Sequence, residues 1–305
     1  MNIIDLQVHS SASDGKHTPR EVVTMAKENG IKVMALTDHD TVAGLPEVLK
    51  AGEELGLKVI LGIEISAEEH GIHLLGYGID YKNAELLAEL EKAKQGRLEG
   101  AKKMVTNLQN SGFFVEWEDV LRQAGRADVI VRPHIARAIL ERPENKEKLA
   151  GIISVGDFIQ AHLLDTSPNY VKRSHISALQ AINLLREAGG AAVWSHPPLP
   201  DFKEGEERFG ELEKFLLQLM EWGLEGIEVF SSAHSEDETE FLVSLAAKYK
   251  LLCTAGSDFH EKFISSIPVG ERHQTSAVGD FPTYGFSTEN FVEKLEGAIN
   301  GRRLG

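Results

Sequence analysis

The sequence predicts an α/β protein built on a largely parallel sheet, and three observations carry that prediction. Short runs rich in Val, Ile and Leu alternate with longer helix-like stretches, the order expected when crossover helices link parallel strands. The runs are of strand length and are bounded by Gly, Asp or Ser. Histidines and carboxylates recur at the ends of these runs, a placement that folding needs alone do not explain.

In chain order, NIIDLQV leads into His9, with Asp14 just beyond, and IKVMALT leads into Asp38, His39 and Asp40. VILGIEI carries Glu64, and His73 opens IHLLGYG. AAVWS leads into His196, LEGIEVF carries Glu228, and LLCTAGS leads into Asp258 and His260. After the first run, Thr18-Pro19-Arg20-Glu21 reads as a helix start, with Thr18 as N-cap, Pro19 as the first helical residue and Glu21 closing a capping box. That helix should stop at Asn29-Gly30. A second helix is expected near 44–56, and later ones near 174–188, 210–222, 236–249 and 288–300. From 84 to 170 the alternation breaks. ELLAELEKAKQGRLEGAKKMVTNLQNSG has helical periodicity, and WEDVLRQAG, HIARAILE and VGDFIQAHLL read as shorter helices. This stretch is expected to be a helical insertion, leaving 1–83 and 171–305 to form the α/β scaffold. The Gly-, Ser- and Pro-containing segment 261–287 is expected to be a long loop.

The 305 residues are 42% hydrophobic and 26% charged, enough for a sizeable core in one large domain with an insertion. No apolar run approaches the ~20 residues of a membrane span, and the N-terminus has no signal-like stretch. The lone Cys253 rules out an internal disulfide and reads as a packed thiol, so a cytoplasmic location is expected. A net charge of -15 argues against an extended basic surface for nucleic acid. It leaves room for a phosphorylated substrate, because bound divalent cations reverse the local sign of a carboxylate-rich site.

Imidazole and carboxylate donors suit Mn, Fe and Zn, and the absence of ligand cysteines argues against a structural zinc site. Singly, each residue has a blander reading: Asp14-Gly15 as a turn, Asp38-His39-Asp40 as a capped turn, Ser257-Asp258 as a loop start. Jointly they point to one polynuclear site at one rim of the sheet, with Glu64 as the bridging acid. Such a site favours phosphate ester hydrolysis, since the ions lower the pKa of a bound water, orient the phosphate and neutralise the charge on attacking and leaving oxygens. His17, His70, His162, His175, His234 and His273 fall outside the pattern and are expected to be solvated.

On the segments DLQVHSSASDG, ALTDHDTVAG, GIEIS, HLLGYGID, RPHIARAIL, AVWSHP, GIEVF and GSDFH, the chain resembles the PHP (polymerase and histidinol phosphatase) family nearly end to end. RPHIA and the helices around it resemble the branch that acts on nucleoside 3′,5′-bisphosphates and short 5′-phosphorylated oligoribonucleotides. The resemblance implies a distorted (β/α)7 barrel with a helical insertion domain capping the site. It also implies three divalent metal ions at the carboxyl rim, where barrels of this kind work, with Mn the first expectation and Fe, Zn or Mg the alternatives. One ion would be held by Gln7, His9, Glu64 and Asp258, a second by Glu64, His73 and His196, and a third by Asp14, His39 and His260. Arg97, Arg132 and His134 would face the substrate phosphate, which suits the planar fork of Arg. Asp38 and Asp40 would orient His39 or a water.

The implied reaction is attack by metal-bound hydroxide on a phosphomonoester of a nucleotide, either a nucleoside 3′,5′-bisphosphate or the 5′ end of a short RNA. His134 or a metal-bound water would protonate the leaving oxygen. Two other readings stay open. One is histidinol-phosphate phosphatase, which the insertion disfavours. The other is a catalytically weakened metal-binding PHP module, supported by Gln7 alone. The family usually has His-x-His where Gln7-Val8-His9 stands, and a neutral amide is a weaker donor for zinc than imidazole. Glu261 stands where the family often has Gly.

Overall fold

The structure is a computed structural model that describes residues 2–164, 166–171, 176–197, 206–261 and 277–303. Among these residues, seven strands form one sheet in chain order: β1 (Ile4–Val8), β2 (Val33–Leu36), β3 (Lys58–Ser66), β4 (His73–Tyr77), β5 (Ala191–Trp194), β6 (Gly226–Ser231) and β7 (Leu252–Gly256). β7 returns to β1: the Asp258 N–H donates to the Gln7 carbonyl at 3.0 Å and the His9 N–H to the Phe259 carbonyl at 2.9 Å. The sheet is thus a nearly closed barrel. β1, β5 and β6 are buried along their whole lengths, which is why they read as apolar runs and not as alternating ones.

All neighbouring strands pair in parallel except β4, which is antiparallel to both β3 and β5. The reason is covalent. Only residues 67–72 separate β3 from β4, and a parallel return needs roughly a dozen residues or more. This reversal distorts the barrel, and it explains why His73 opens its strand while the other candidate ligands close theirs. Running the opposite way, β4 delivers its first residue to the rim where the others deliver their last, and His73 lies in register with Ser66.

Helices α1 (Pro19–Glu28), α2 (Leu45–Leu55), α7 (Ala178–Glu187), α8 (Glu206–Glu221), α9 (Glu236–Tyr249) and α10 (Phe291–Arg303) accompany the barrel. The capping box expected at α1 is present: Thr18 accepts from the Glu21 N–H and Glu21 accepts from the Thr18 N–H at 2.7 Å. In the stretch expected to be an insertion lie α3 (Ala84–Asn110), α4 (Trp117–Ala124), α5 (Arg132–Leu140) and α6 (Val155–His162). α3 belongs to two cores. Leu86, Leu90 and Ala93 join the barrel core, whereas Ala101, Met104, Val105 and Leu108 pack with Val120, Ile135, Ile139 and Phe158 in a second cluster. Arg97 falls between the two. Residues 262–276 of the expected long loop, with His175 and His273, lie outside the described residues.

Candidate metal centre

The rim of the barrel gathers the predicted ligands around Glu64, which is fully buried. Its Oε2 lies 3.1 Å from His9 Nε2 and 3.2 Å from His39 Nδ1, and its Oε1 lies 3.1 Å from His73 Nδ1 and 3.2 Å from His196 Nε2. Asp258 Oδ1 stands 3.0 Å from His9 Nε2, and Asp14 Oδ1 stands 3.3 Å from His260 Nε2. The His9 and His260 rings stack at 4.2 Å. Asp14 also lies 3.9 Å from both His9 Nδ1 and His39 Nε2. Gln7 donates its amide to Glu64 Oε1 at 3.0 Å and to Ser195 Oγ at 2.9 Å.

Unusual backbone at the strand ends aims these side chains. Asp40, His196 and Asp258 have φ of 50°, 29° and 54°, a left-handed region that Asp and His adopt more readily than most residues. Each turn is pinned through its own N–H, Asp40 to the Glu64 carbonyl at 2.8 Å, His196 to Glu228 Oε2 at 2.9 Å and Asp258 to the Gln7 carbonyl at 3.0 Å. Gly15 lets the Asp14 loop fold onto β1, since a Cβ there would sit 2.8 Å from the His9 carbonyl carbon and oxygen. Asp38 secures the same loop, accepting from the Ser10 N–H at 2.7 Å and from the Ser13 hydroxyl at 2.6 Å.

The donors fit divalent cations. Among the described residues, Gln7 Oε1, both nitrogens of His9, His39 Nδ1, Glu64 Oε2 and Asp258 Oδ1 are buried without a hydrogen bond. An unsatisfied buried polar group costs about 1–3 kcal/mol, so this concentration makes structural sense where ions complete the coordination. Three sets of donor atoms, each within 4.8 Å of one another, emerge: His9, Asp14, His39 and His260; His39, Glu64 and His73; and His9, Glu64 and Asp258. Charge agrees. Burial raises the Glu64 pKa, but His39, His73 and His196 outweigh it and hold the carboxyl well below its usual range. Asp14 is likewise pushed up by burial and brought lower still by His260, His39 and His9. Burial brings His39 down to about 3, against the opposing pull of the Glu64 and Asp14 carboxylates beside it.

Above this floor is a cleft of about 240 Å³. Asp14, His39, His73 and His260 line its base, Ser66, Ala67, Glu68 and Gly71 one wall, and Arg97, Val131, Arg132, Pro133, Ile159 and Tyr170 the side formed by 84–170. Arg97 is buried, ion-paired with Asp40 and 2.7 Å from Ser66 Oγ. Asp40, in turn, accepts from the Ser66 N–H at 2.9 Å. Arg132 reaches the Leu163 carbonyl at 3.3 Å. His134 does not line the cleft. Its Nδ1 accepts from the Val131 N–H at 3.3 Å, and burial pushes its pKa to about 4, so near neutrality the ring is a neutral imidazole with a single N–H.

Two features escaped the sequence reading. His234, expected to be solvated, is only 1% exposed and sits in the loop after β6, 3.3 Å from the Val229 carbonyl. Glu261 pairs with Lys16 at 2.5 Å and with Arg137 of α5 at 3.4 Å, and Arg137 also donates to the Asp14 carbonyl at 3.1 Å. α5 is thereby joined to two ligand loops. RPHIAR contains this arginine, but nothing local distinguishes it from a solvated helix residue. Burial pushes up the pKa of the Cys253 thiol, as expected of an inert packed cysteine.

Residues 5–172 match the family described as PHP domain. The chain is 32% identical to a 3′,5′-nucleoside bisphosphate phosphatase of Chromobacterium violaceum, over 84% of this chain and 87% of that protein. It is 32% identical to a phosphoribosyl 1,2-cyclic phosphate 1,2-diphosphodiesterase of Eggerthella lenta, covering 86% and 95%. With a 5′-3′ exoribonuclease of Haemophilus influenzae the identity is 30%, covering 84% and 89%. In structure it resembles an amidohydrolase of C. violaceum with bound sulfate, at a TM-score of 0.80 and 29% identity over 97% of each chain.

Proposed function

Because this chain belongs to the PHP family and is a metal-dependent phosphoesterase, we propose that it removes a phosphate from a nucleotide, a nucleoside 3′,5′-bisphosphate or the 5′ end of a short RNA. One observation carries this reading: buried Arg97 and half-buried Arg132 face, across a cleft of about 240 Å³, a floor of imidazoles and carboxylates. Cations lie on two opposed sides once ions are bound, which suits a small molecule carrying two anionic groups.

Three divalent ions, with Mn the first expectation, would be held by Gln7, His9, Glu64 and Asp258, by Glu64, His73 and His196, and by Asp14, His39 and His260. When bound they supply an acidified water and neutralise charge on the phosphate. The chain's own groups do the rest. Arg97, oriented by Asp40 and Ser66, and Arg132, at the start of α5, hold phosphate oxygens through charge-assisted hydrogen bonds. His134 acts as a positioning residue that caps α5 and so places Arg132. Residues 84–170 form the cap that excludes bulk water. The lone cysteine favours a reducing compartment such as the cytoplasm.

The test is release of inorganic phosphate, with Mn, Mg, Fe or Zn, from adenosine 3′,5′-bisphosphate, a 5′-phosphorylated tetranucleotide, a phosphoribosyl 1,2-cyclic phosphate and histidinol phosphate. The bisphosphate or the oligonucleotide should turn over fastest. No release from either, with any of the four metals, would sink the reading.

A further inference from the structure

The three donor sets at the rim are not chemically alike, and Gln7 accentuates the difference. Around His39 and His73 the donors are imidazoles sharing one carboxylate, Glu64, which His196 also meets at 3.2 Å. In the set that includes Asp258, one imidazole, that of His9, joins two carboxylates. Beside this second group stands Gln7, fully buried, whose backbone carbonyl accepts from the Asp258 N–H at 3.0 Å; its amide nitrogen donates to Glu64 Oε1 at 3.0 Å and to Ser195 Oγ at 2.9 Å, and its amide oxygen has no hydrogen-bond partner. A half-turn about its last torsion exchanges the two ends. Gly256 keeps the side chain in place: a Cβ there would lie 2.4 Å from Gln7 Cβ, so β7 backs directly onto Gln7. Oxygen donors suit Mn²⁺ and Mg²⁺, whereas imidazole suits Zn²⁺ and Fe²⁺.

We propose that Gln7 contributes an amide oxygen to the ion shared by His9, Glu64 and Asp258, and so biases that position towards Mn²⁺ or Mg²⁺ and against Zn²⁺. The cluster would then load with unlike ions. This rests on the metal-dependent reading above and adds to it a chain-specific selectivity.

The experiment is elemental analysis of the full-length protein, stripped and equilibrated in buffered Mn²⁺ with rising free Zn²⁺, alongside electron paramagnetic resonance of the retained Mn²⁺. In the unaltered protein one ion per chain should remain Mn²⁺ until free Zn²⁺ is about 10–100-fold higher than the level that fills the other positions, the span that ligand-environment changes produce. Gln7→His should abolish that lag, Gln7→Glu should keep it, and Gln7→Leu should lose one ion. Circular dichroism checks that each variant folds, and the Glu and Leu variants decide the matter if the His variant does not. Equal Zn²⁺ midpoints in the unaltered protein and Gln7→His, or full loading of Gln7→Leu, would overturn the proposal while leaving the metal-dependent reading intact. A protein that binds fewer than two ions in every form would overturn both.

Discussion

Glu64 shows how much one side chain can organise. Two oxygens meet four imidazoles within 3.1–3.2 Å, so any change there disturbs all three donor sets. Residues one step out matter through what they hold. Asp38 fixes the Ser10–Asp14 loop through Ser10 and Ser13. Asp38→Asn should therefore lower metal affinity about 10–100-fold, read by competition with a chromogenic chelator, and unchanged affinity would show that the loop holds without it. Arg97→Ala should cut kcat/KM for the bisphosphate by roughly 10–100-fold, the loss of a charge-assisted hydrogen bond worth about 1.5–3 kcal/mol, with metal content preserved. Loss of metal in that variant would instead make Arg97 a scaffold for the rim. Most of the imidazole and carboxylate cluster was legible because most of its members sit at the ends of recognisable runs. His234 was misjudged because its exposure depends on which other elements pack against it.

At the scale of elements, capping and acid sensitivity can be tested. Thr18→Ala removes half of the capping box of α1 and should cost about 1 kcal/mol, seen as a lower denaturant midpoint at unchanged slope. α4 depends on Asp119, which accepts from the Glu116 N–H at 2.9 Å and from Arg142 Nε at 2.8 Å. Burial raises this carboxyl, but the Glu116 N–H, Arg142 and Arg122 lower it further, to about 2 from an ordinary 3.8. A folded-state pKa below the unfolded one favours folding when the group is ionised. That contribution is full above about pH 4 and disappears as pH falls towards 2. Urea midpoints of the unaltered protein should thus fall through this window more steeply than those of Asp119→Asn, and parallel curves would remove Asp119 from the account.

For the whole molecule, the ions should act as part of the fold. Donors from β1, β3, β4 and the loops after β2, β5 and β7 converge only when the barrel is closed, so ions bind the folded chain and not the unfolded one. At a hundred times Kd, binding one ion adds about 2.7 kcal/mol, and chelation should lower Tm together with activity. A Tm indifferent to chelator would separate the cluster from stability. The break in the barrel's parallel order also belongs to this scale. Strand length and composition marked β4 as a strand, but its direction follows from the six residues that join it to β3 and from the two neighbours it pairs with.

By itself the sequence determined the α/β class, the cap and stop of α1, the extent of α2, the helical character of 84–170, and a set of imidazoles and carboxylates at run ends. Periodicity and capping are properties of a few adjacent residues, and they survive in one dimension. Tertiary structure alone decided that β4 runs backwards, that Arg97 is held by Asp40 across 57 positions, that His134 is buried behind the cleft lining and that Arg137 joins α5 to the loops carrying Asp14 and Glu261. Those outcomes depend on which surfaces meet when the barrel closes, and pairings between distant segments leave no periodic trace in the chain.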